Sequence, residues 1–308
     1  MNSSTTAPAV SGSCIRCDIM MSHDNTVTTE EVAIMAKPIV ALMYDFDKTL
    51  SPKNMQDYGF MDGLGMTSDA FWSECTRLTK ANNMDSILSY MYMMLEKGHG
   101  KFLLRRESFQ ELGKSVKLFP GVQTWFSRIN EYCAEKGLKC EHYIISSGLK
   151  EIIEGTPIAG EFKEIYAAEF LYDKDGVAKW PAMAVNYTSK TQFLYRINKG
   201  VLDVTEQRAL NEYVPEDKRR IPFRNMIYFG DGDTDIPCMK LTKVNGGHSF
   251  VVYQKDKKES ERLISENRVN FACKADYRAG SPLEKAVKSV IDNIATTEDL
   301  KKLERRSG

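Results

Sequence analysis

The chain has 308 residues, 42% hydrophobic and 27% charged, the balance of an ordinary globular protein. Lysine plus arginine (42) equals aspartate plus glutamate (42), so no global field draws in nucleic acid or an anionic membrane. No apolar run approaches the roughly 20 residues a spanning helix needs. Seven cysteines scattered over this length do not read as a disulfide framework, and with no secretory pattern at the start the expected location is cytoplasmic.

Residues 1–36, rich in Ser, Thr and Ala without periodicity, read as a flexible leader, and Met35 stands just before the first strand as an alternative start. Within it Cys14 and Cys17 form a C-x-x-C pair. It reads as coincidence, because no second pair at zinc spacing follows. The first predicted element is the apolar run PIVALMYDF over 38–46, the pattern of a strand covered on both faces. It ends in two carboxylates, Asp45 and Asp47. Like charges at the tip of a buried strand are costly unless chemistry needs them there.

Residues 53–118 carry no buried-strand signal. Three amphipathic runs, 67–83, 84–98 and 101–116, predict a small helical bundle inserted after the carboxylate pair. The glycine-rich stretch 55–66 ahead of them reads as a flap or hinge. A helix over 121–137 leads to the second buried strand, 141–146. This strand ends in Ser146, with Ser147 and Gly148 expected to open the next helix. A hydroxyl beside free N–H groups at a helix start is an anion seat. A hairpin is expected within 162–187, around the Lys174–Asp175–Gly176 turn.

Lys190 falls in the first turn of a helix over 189–200. A cation there opposes the helix dipole, so its placement implies a nearby anion. The strand 225–230 ends in Asp231, Asp233 and Asp235, with Gly230 and Gly232 between. Three carboxylates so close repel one another unless a cation sits among them. A few hard oxygen ligands with room for water suit Mg²⁺ better than a Ca²⁺ cage. Strands over 249–253 and 269–275 and a helix over 281–295, capped by Ser281 with Pro282 next, complete the pattern. A polar tail, 299–308, follows. Strands alternating with helices predict an α/β, Rossmann-like doubly wound parallel sheet, with ligands bound at the carboxyl ends of its strands. The expected core spans 37–52 and 119–298, and the helical unit 53–118.

With these four sites in this order, the chain resembles the haloacid dehalogenase superfamily in its phosphatase branch, similar to phosphoserine-phosphatase-type enzymes with a C1-type helical cap. The Asp-x-Asp-x-Thr motif is met by Asp45, Asp47 and Thr49, the strand-ending hydroxyl by Ser146, the helix-opening lysine by Lys190, and Gly-Asp-x-x-x-Asp by Gly230, Asp231 and Asp235. The resemblance implies that Asp45 is a nucleophile forming an aspartyl phosphate, and that Asp47 protonates the leaving oxygen and then activates water. It implies Mg²⁺ held by Asp45, the backbone carbonyl of Asp47 and Asp231, with Asp235 ligating through water or bracing Lys190. Ser146, Ser147, Gly148, Thr49 and Lys190 would grip the phosphoryl group, and Asp233 falls on a variable position. Dehalogenases lack the second aspartate, so Asp47 speaks against that chemistry.

The implied activity is Mg²⁺-dependent hydrolysis of a small soluble phosphorylated metabolite, without nucleic-acid or membrane partners. A phosphotransferase or phosphomutase, or a non-catalytic phosphate-binding protein, are the alternatives on the same fold. Candidate substrate selectors in the helical unit are Tyr58, Trp72, the Met91–Met93–Met94 cluster, and Arg105 or Arg106 with Glu107 or Glu74. Methionines and aromatics at helical spacing are nonetheless usually core.

Overall fold

The computed structural model describes residues 37–307, so the expected leader and its Cys14–Cys17 pair lie outside the described residues. Strand β1 (Ile39–Tyr44) is followed by helices α1 (Phe60–Leu64), α2 (Ser68–Asn82), α3 (Ser86–Gly98), α4 (Arg106–Gly113) and α5 (Val122–Glu135). Then come β2 (Lys139–Leu149), α6 (Lys150–Glu154), the hairpin β3 (Glu164–Tyr172) and β4 (Ala178–Met183), and helices α7 (Ser189–Lys199) and α8 (Gln207–Asn211). The chain closes with β5 (Met226–Gly230), α9 (Ile236–Val244), β6 (His248–Tyr253), α10 (Lys258–Ser265), β7 (Phe271–Lys274) and α11 (Pro282–Ser307). Among the described residues no helix is long and apolar enough to cross a membrane.

The strands form one seven-stranded sheet, β4-β3-β2-β1-β5-β6-β7. Every neighbouring pair is parallel except β3 and β4. β1 lies between β2 and β5 because its side chains are apolar on both faces. Val40, Leu42 and Tyr44 join a core with Trp125 and Phe126 of α5 and Val287 and Ile291 of α11. Ala41 and Met43 point to the opposite core, with Phe193 and Ile197 of α7 and Met239 of α9. The sheet is thus doubly wound. The chain runs outward on either side of β1, so a crevice opens at the carboxyl ends of β1, β2 and β5.

Helices α2 and α3 begin where their capping residues place them. Thr67 accepts from Ala70 N at 3.2 Å, and Asp85 accepts from Ile87 N and Leu88 N at 2.9 and 3.0 Å. Each satisfies backbone donors that a helix start leaves free. α4 packs on α6 through glycine: a Cβ on Gly155 would lie 1.8 Å from the Gln110 carbonyl oxygen, and one on Gly113 2.2 Å from that of Ile152. Backbone meets backbone there, and no side chain can be accommodated.

The stretch read as a flap, 55–66, is instead a 3₁₀ turn (Met55–Asp57) followed by α1, with Met55 and Phe60 fully buried. Its apolar side chains outweigh the freedom of its glycines. The expected polar tail is also helical. α11 continues past 295 to Ser307, helped by Glu298, whose carboxylate receives Arg224 Nη2 at 2.9 Å.

At the opposite end of the sheet from the crevice, Glu141 is buried with Arg220 Nη2 at 2.7 Å, Lys163 Nζ at 3.1 Å and the Tyr143 hydroxyl at 2.6 Å. Burial pushes its pKa up, but the bonds from Arg220, Tyr143 and Lys163 outweigh burial and hold it at about 2. A depressed carboxylate adds stability that is complete above its unfolded pKa and is lost as pH falls through the folded value. The Glu141→Gln variant is therefore expected to lose on the order of 3 kcal/mol at neutral pH. Urea titrations should also show a flatter stability profile for it between about pH 4.5 and 2; equal slopes for the two proteins would refute this.

Candidate active site

β1 delivers the first carboxylate directly. Asp45 N still donates to Phe229 O of β5 at 2.9 Å, so Asp45 is the last residue held by the sheet. The chain then turns sharply, and the Phe46 carbonyl accepts from Thr49, Leu50 and Ser51 N at 3.3, 2.9 and 3.1 Å. Lys48 takes the left-handed conformation at φ 58°, a cost a non-glycine residue bears only in a fixed turn. The turn aims Asp47 back over the strand end, where its Oδ1 accepts from Met55 N at 2.9 Å.

Lys190, on the first turn of α7, has no solvent exposure. Its Nζ donates to Asp45 Oδ1 at 3.1 Å and to Asp235 Oδ1 at 2.7 Å. Asp235 also accepts from the Tyr228 hydroxyl at 2.7 Å and, through Oδ2, from Asp231 N at 3.1 Å. Both of its oxygens are engaged. Gly230 is required beneath it, since a Cβ at that position would lie 2.4 Å from Asp235 Cγ. Oxygens of Asp45, Asp231 and Asp235 lie within 4.8 Å of one another. Asp233 is exposed and pairs with Arg262 Nη2 at 3.8 Å.

The electrostatics show an excess of negative charge. Burial raises Asp45 to about 6 against the pull of Lys190, with Asp235 adding to the rise. Burial likewise raises Asp231 to about 8, and the charges of Asp235 and Asp45 reinforce it. Asp47 is held well above its ordinary value by burial and then by Asp45. Burial pulls Lys190 down, but Asp235 and Asp45 reverse that and leave it raised. One buried ammonium among four carboxylates leaves room for a further cation. An all-oxygen donor set fits a small hard divalent ion.

The Ser146 turn differs from the expectation. β2 continues to Leu149 with an irregular register between Ile145 and Leu149, and α6 starts only at Lys150. Ser147 and Gly148 therefore belong to a strand bulge and do not open a helix. The bulge lets Gly148 N donate to Ser146 Oγ at 3.1 Å, which leaves the Ser146 hydroxyl proton for another acceptor. Thr49 and Ser147 both carry buried hydroxyl oxygens with no hydrogen-bond partner. Ser147 is a lining residue of the cavity described next, whereas Thr49 is not.

A cavity of about 400 Å³ connects these groups to the inserted helices. Its floor is Asp45, Asp47, Asp231 and the 146–148 bulge, and α2 and α3 supply Trp72, Thr79 and Tyr90 on the other side. Further hydrogen bonds tie the insert to the core. The Tyr90 hydroxyl donates to Ser147 O at 2.8 Å, and Asn186 Nδ2, just before α7, donates to Asp85 Oδ2 at 2.7 Å.

Of the expected selectors, Trp72 alone lines the cavity. Arg106 instead pairs with Glu169 at 3.1 Å and lies over the Tyr172 ring, and Arg105 makes a backbone bridge to Val177. Glu74 pairs with Lys97 at 2.8 Å, and Glu107 sits in the first turn of α4, off the cavity wall. Met91, Met93 and Met94 are core, and Tyr58 accepts from Ser51 Oγ at 3.2 Å. Gln56, Thr79 and Tyr90 were missed as cavity residues. A buried glutamine between Met55 and Phe60 is the signal that could have marked the first.

The lysine-braced carboxylate cluster lies at the carboxyl ends of the central strands, where doubly wound sheets bind their ligands. This chain belongs to the haloacid dehalogenase-like hydrolase family, whose model matches residues 42–240. It is 31% identical over 274 residues to an uncharacterized protein of Borreliella burgdorferi, covering 80% of this chain and 94% of that one. Among solved structures it resembles a substrate-bound phosphoserine phosphatase, at TM-score 0.52 and 15% identity, covering 79% of this chain and 97% of the other. It also resembles a hydrolase of the same family from Salmonella enterica serovar Typhi, at TM-score 0.51 and 17% identity, covering 78% and 69%. At these identities the structural likeness is one of fold.

Proposed function

We propose that the protein is a divalent-cation-dependent phosphomonoester hydrolase that works through Asp45. The observation that carries the reading is the buried Lys190 ammonium, 3.1 Å from Asp45 Oδ1, where Asp45, Asp47 and Asp231 line one cavity. Phosphoryl transfer is mostly positioning and charge stabilisation, and these groups are its parts.

Asp45 attacks phosphorus and takes the phosphoryl group, while Lys190 and the Ser146 hydroxyl hold phosphoryl oxygens. Asp47, whose pKa burial and the Asp45 charge raise, gives its proton to the leaving oxygen. As a carboxylate it then draws a proton from the water that opens the acyl phosphate on Asp45. Asp45, the Asp47 backbone carbonyl and Asp231 would hold Mg²⁺, which when bound neutralises charge on the phosphoryl oxygens. Asp235 is assigned to bracing Lys190, because both its oxygens already accept hydrogen bonds. The helices over 53–118 are the lid that keeps bulk water from the acyl phosphate.

Phosphate release from p-nitrophenyl phosphate tests the reading. EDTA should reduce turnover to background and added Mg²⁺ should restore it. Turnover indifferent to the chelator would exclude a metal-assisted mechanism.

A further inference from the structure

Helices α2 and α3 supply the insert's side of the cavity. Among the described residues, the stretch 67–98 that contains them reaches the core through two hydrogen bonds, Tyr90 to Ser147 O and Asn186 to Asp85. In the second, Asn186 Nδ2 donates to Asp85 Oδ2 at 2.7 Å, and each partner is also committed elsewhere. Asp85 Oδ1 caps α3 through Ile87 N and Leu88 N, and Ser86, Ile87 and Tyr90 of that helix line the cavity. Asn186 holds the start of α7. Its Oδ1 accepts from Ser189 N at 3.3 Å, its N–H donates to Ser189 Oγ at 2.7 Å, and its carbonyl accepts from Lys190 N at 2.9 Å. One hydrogen bond thus joins the start of a cavity-wall helix to the start of the helix that carries Lys190.

We propose that Asp85 and Asn186 are positioning residues, whose hydrogen bond latches the α2–α3 wall over the acyl phosphate and keeps nucleophiles other than the hydrolytic water away from it. The inference rests on the phosphatase reading and adds two residues to it. Helix capping alone does not account for the pair, because Asp85 spends one oxygen on the cap and the other on Asn186. Asparagine caps a helix about as well as aspartate, so Asp85→Asn is silent if capping is the whole role. The latch makes it harmful. The new amide sets N–H groups against those of Asn186, and turning either amide over deprives a helix start of its acceptor oxygen. Asn186→Asp sets two carboxylates face to face. Combining the two substitutions restores one donor and one acceptor at the contact and leaves an oxygen at each helix start.

The test follows p-nitrophenyl phosphate turnover by the full-length protein with Mg²⁺ and added methanol. p-Nitrophenol released in excess of inorganic phosphate counts phosphoryl groups passed to methanol: its oxygen bonds to phosphorus, the bond to Asp45 breaks, and its proton goes to Asp47. The ratio of methyl phosphate to inorganic phosphate is read per turnover, so a loss of stability alone does not move it. It should rise about tenfold in Asp85→Asn and in Asn186→Asp, the scale of one hydrogen bond to a charged group, and return to the wild-type value in the double variant. Asp85→Ser, which keeps a cap oxygen and has none left for Asn186, should match Asp85→Asn and stands in should Asn186→Asp not fold. A ratio unmoved in any folded single variant, or not restored in the double, overturns the latch and leaves the phosphatase intact. If no ester is hydrolysed, the phosphatase reading fails separately, and hydrogen exchange judges the coupling alone. Protection of the Ser189 and Lys190 amides relative to β1 should then fall in Asp85→Asn and recover in the double variant; no fall, or no recovery, overturns it.

Discussion

Asp45→Asn is expected to lower phosphate release from p-nitrophenyl phosphate by about 10⁴-fold or more, the scale of losing a covalent nucleophile. The amide keeps the shape of the carboxylate but has no lone pair basic enough to attack phosphorus. Its stability should not suffer. Burial raises Asp45 to about 6, so the ionised group opposes folding at pH above that value, and the opposition fades as pH falls toward the unfolded pKa. The neutral amide removes that opposition, and Lys190 keeps Asp235 at 2.7 Å. A thermal melt of the metal-free variant should therefore lie at or above that of the wild type. Mg²⁺ should raise the wild-type melt more than the variant's. Full turnover in the variant would remove Asp45 from the chemistry.

Lys190→Met has the opposite signature, because it removes the buried cation that pairs with Asp45 and Asp235. Asp45 and Asp235 would face each other across a space their ammonium filled, and Tyr228 and Asp231 N would be the remaining donors to Asp235. Removing one partner of a buried ion pair costs about 3–5 kcal/mol, a large share of the stability of an ordinary domain. Urea unfolding should show this as a lowered midpoint with an unchanged slope. Turnover should fall by about 10²–10³-fold as well, since a charge aimed at the phosphoryl oxygens is lost. A variant as stable as the wild type would mean that Lys190 does not neutralise the cluster.

Much of this was readable from local pattern. β1 has an unbroken apolar run because both its faces are core, and a charged pair at its end stands out against that background. The same contrast marks Asp231 and Asp235 after β5, and the Lys174–Asp175–Gly176 turn marked the β3–β4 hairpin. What local pattern hid was set by tertiary contacts. Arg106 looked like an anion reader, yet Glu169 and the Tyr172 ring occupy it on the hairpin side of the insert. Gly148 looked like a helix opening, but the bulge in β2 delays α6 to Lys150. Gln56 gave no periodic signal, since its burial in the turn after Asn54 is set by tertiary packing. The polar residues after 295 had no apolar stripe to announce a helix, and α11 is carried on by side-chain pairs such as Glu298 with Arg224.

The most direct test of an Asp45-centred mechanism uses Asp47→Asn with p-nitrophenyl phosphate. The aryl oxide leaves without a proton, so transfer to Asp45 should proceed, while the second step lacks its base. Rapid-quench kinetics should show a burst of about one p-nitrophenol per active site, the sign of an accumulating covalent intermediate. Mass spectrometry of the acid-quenched protein should then place one phosphoryl group on the peptide carrying Asp45. No burst and no modified peptide, from a variant whose wild type turns over, would contradict the account.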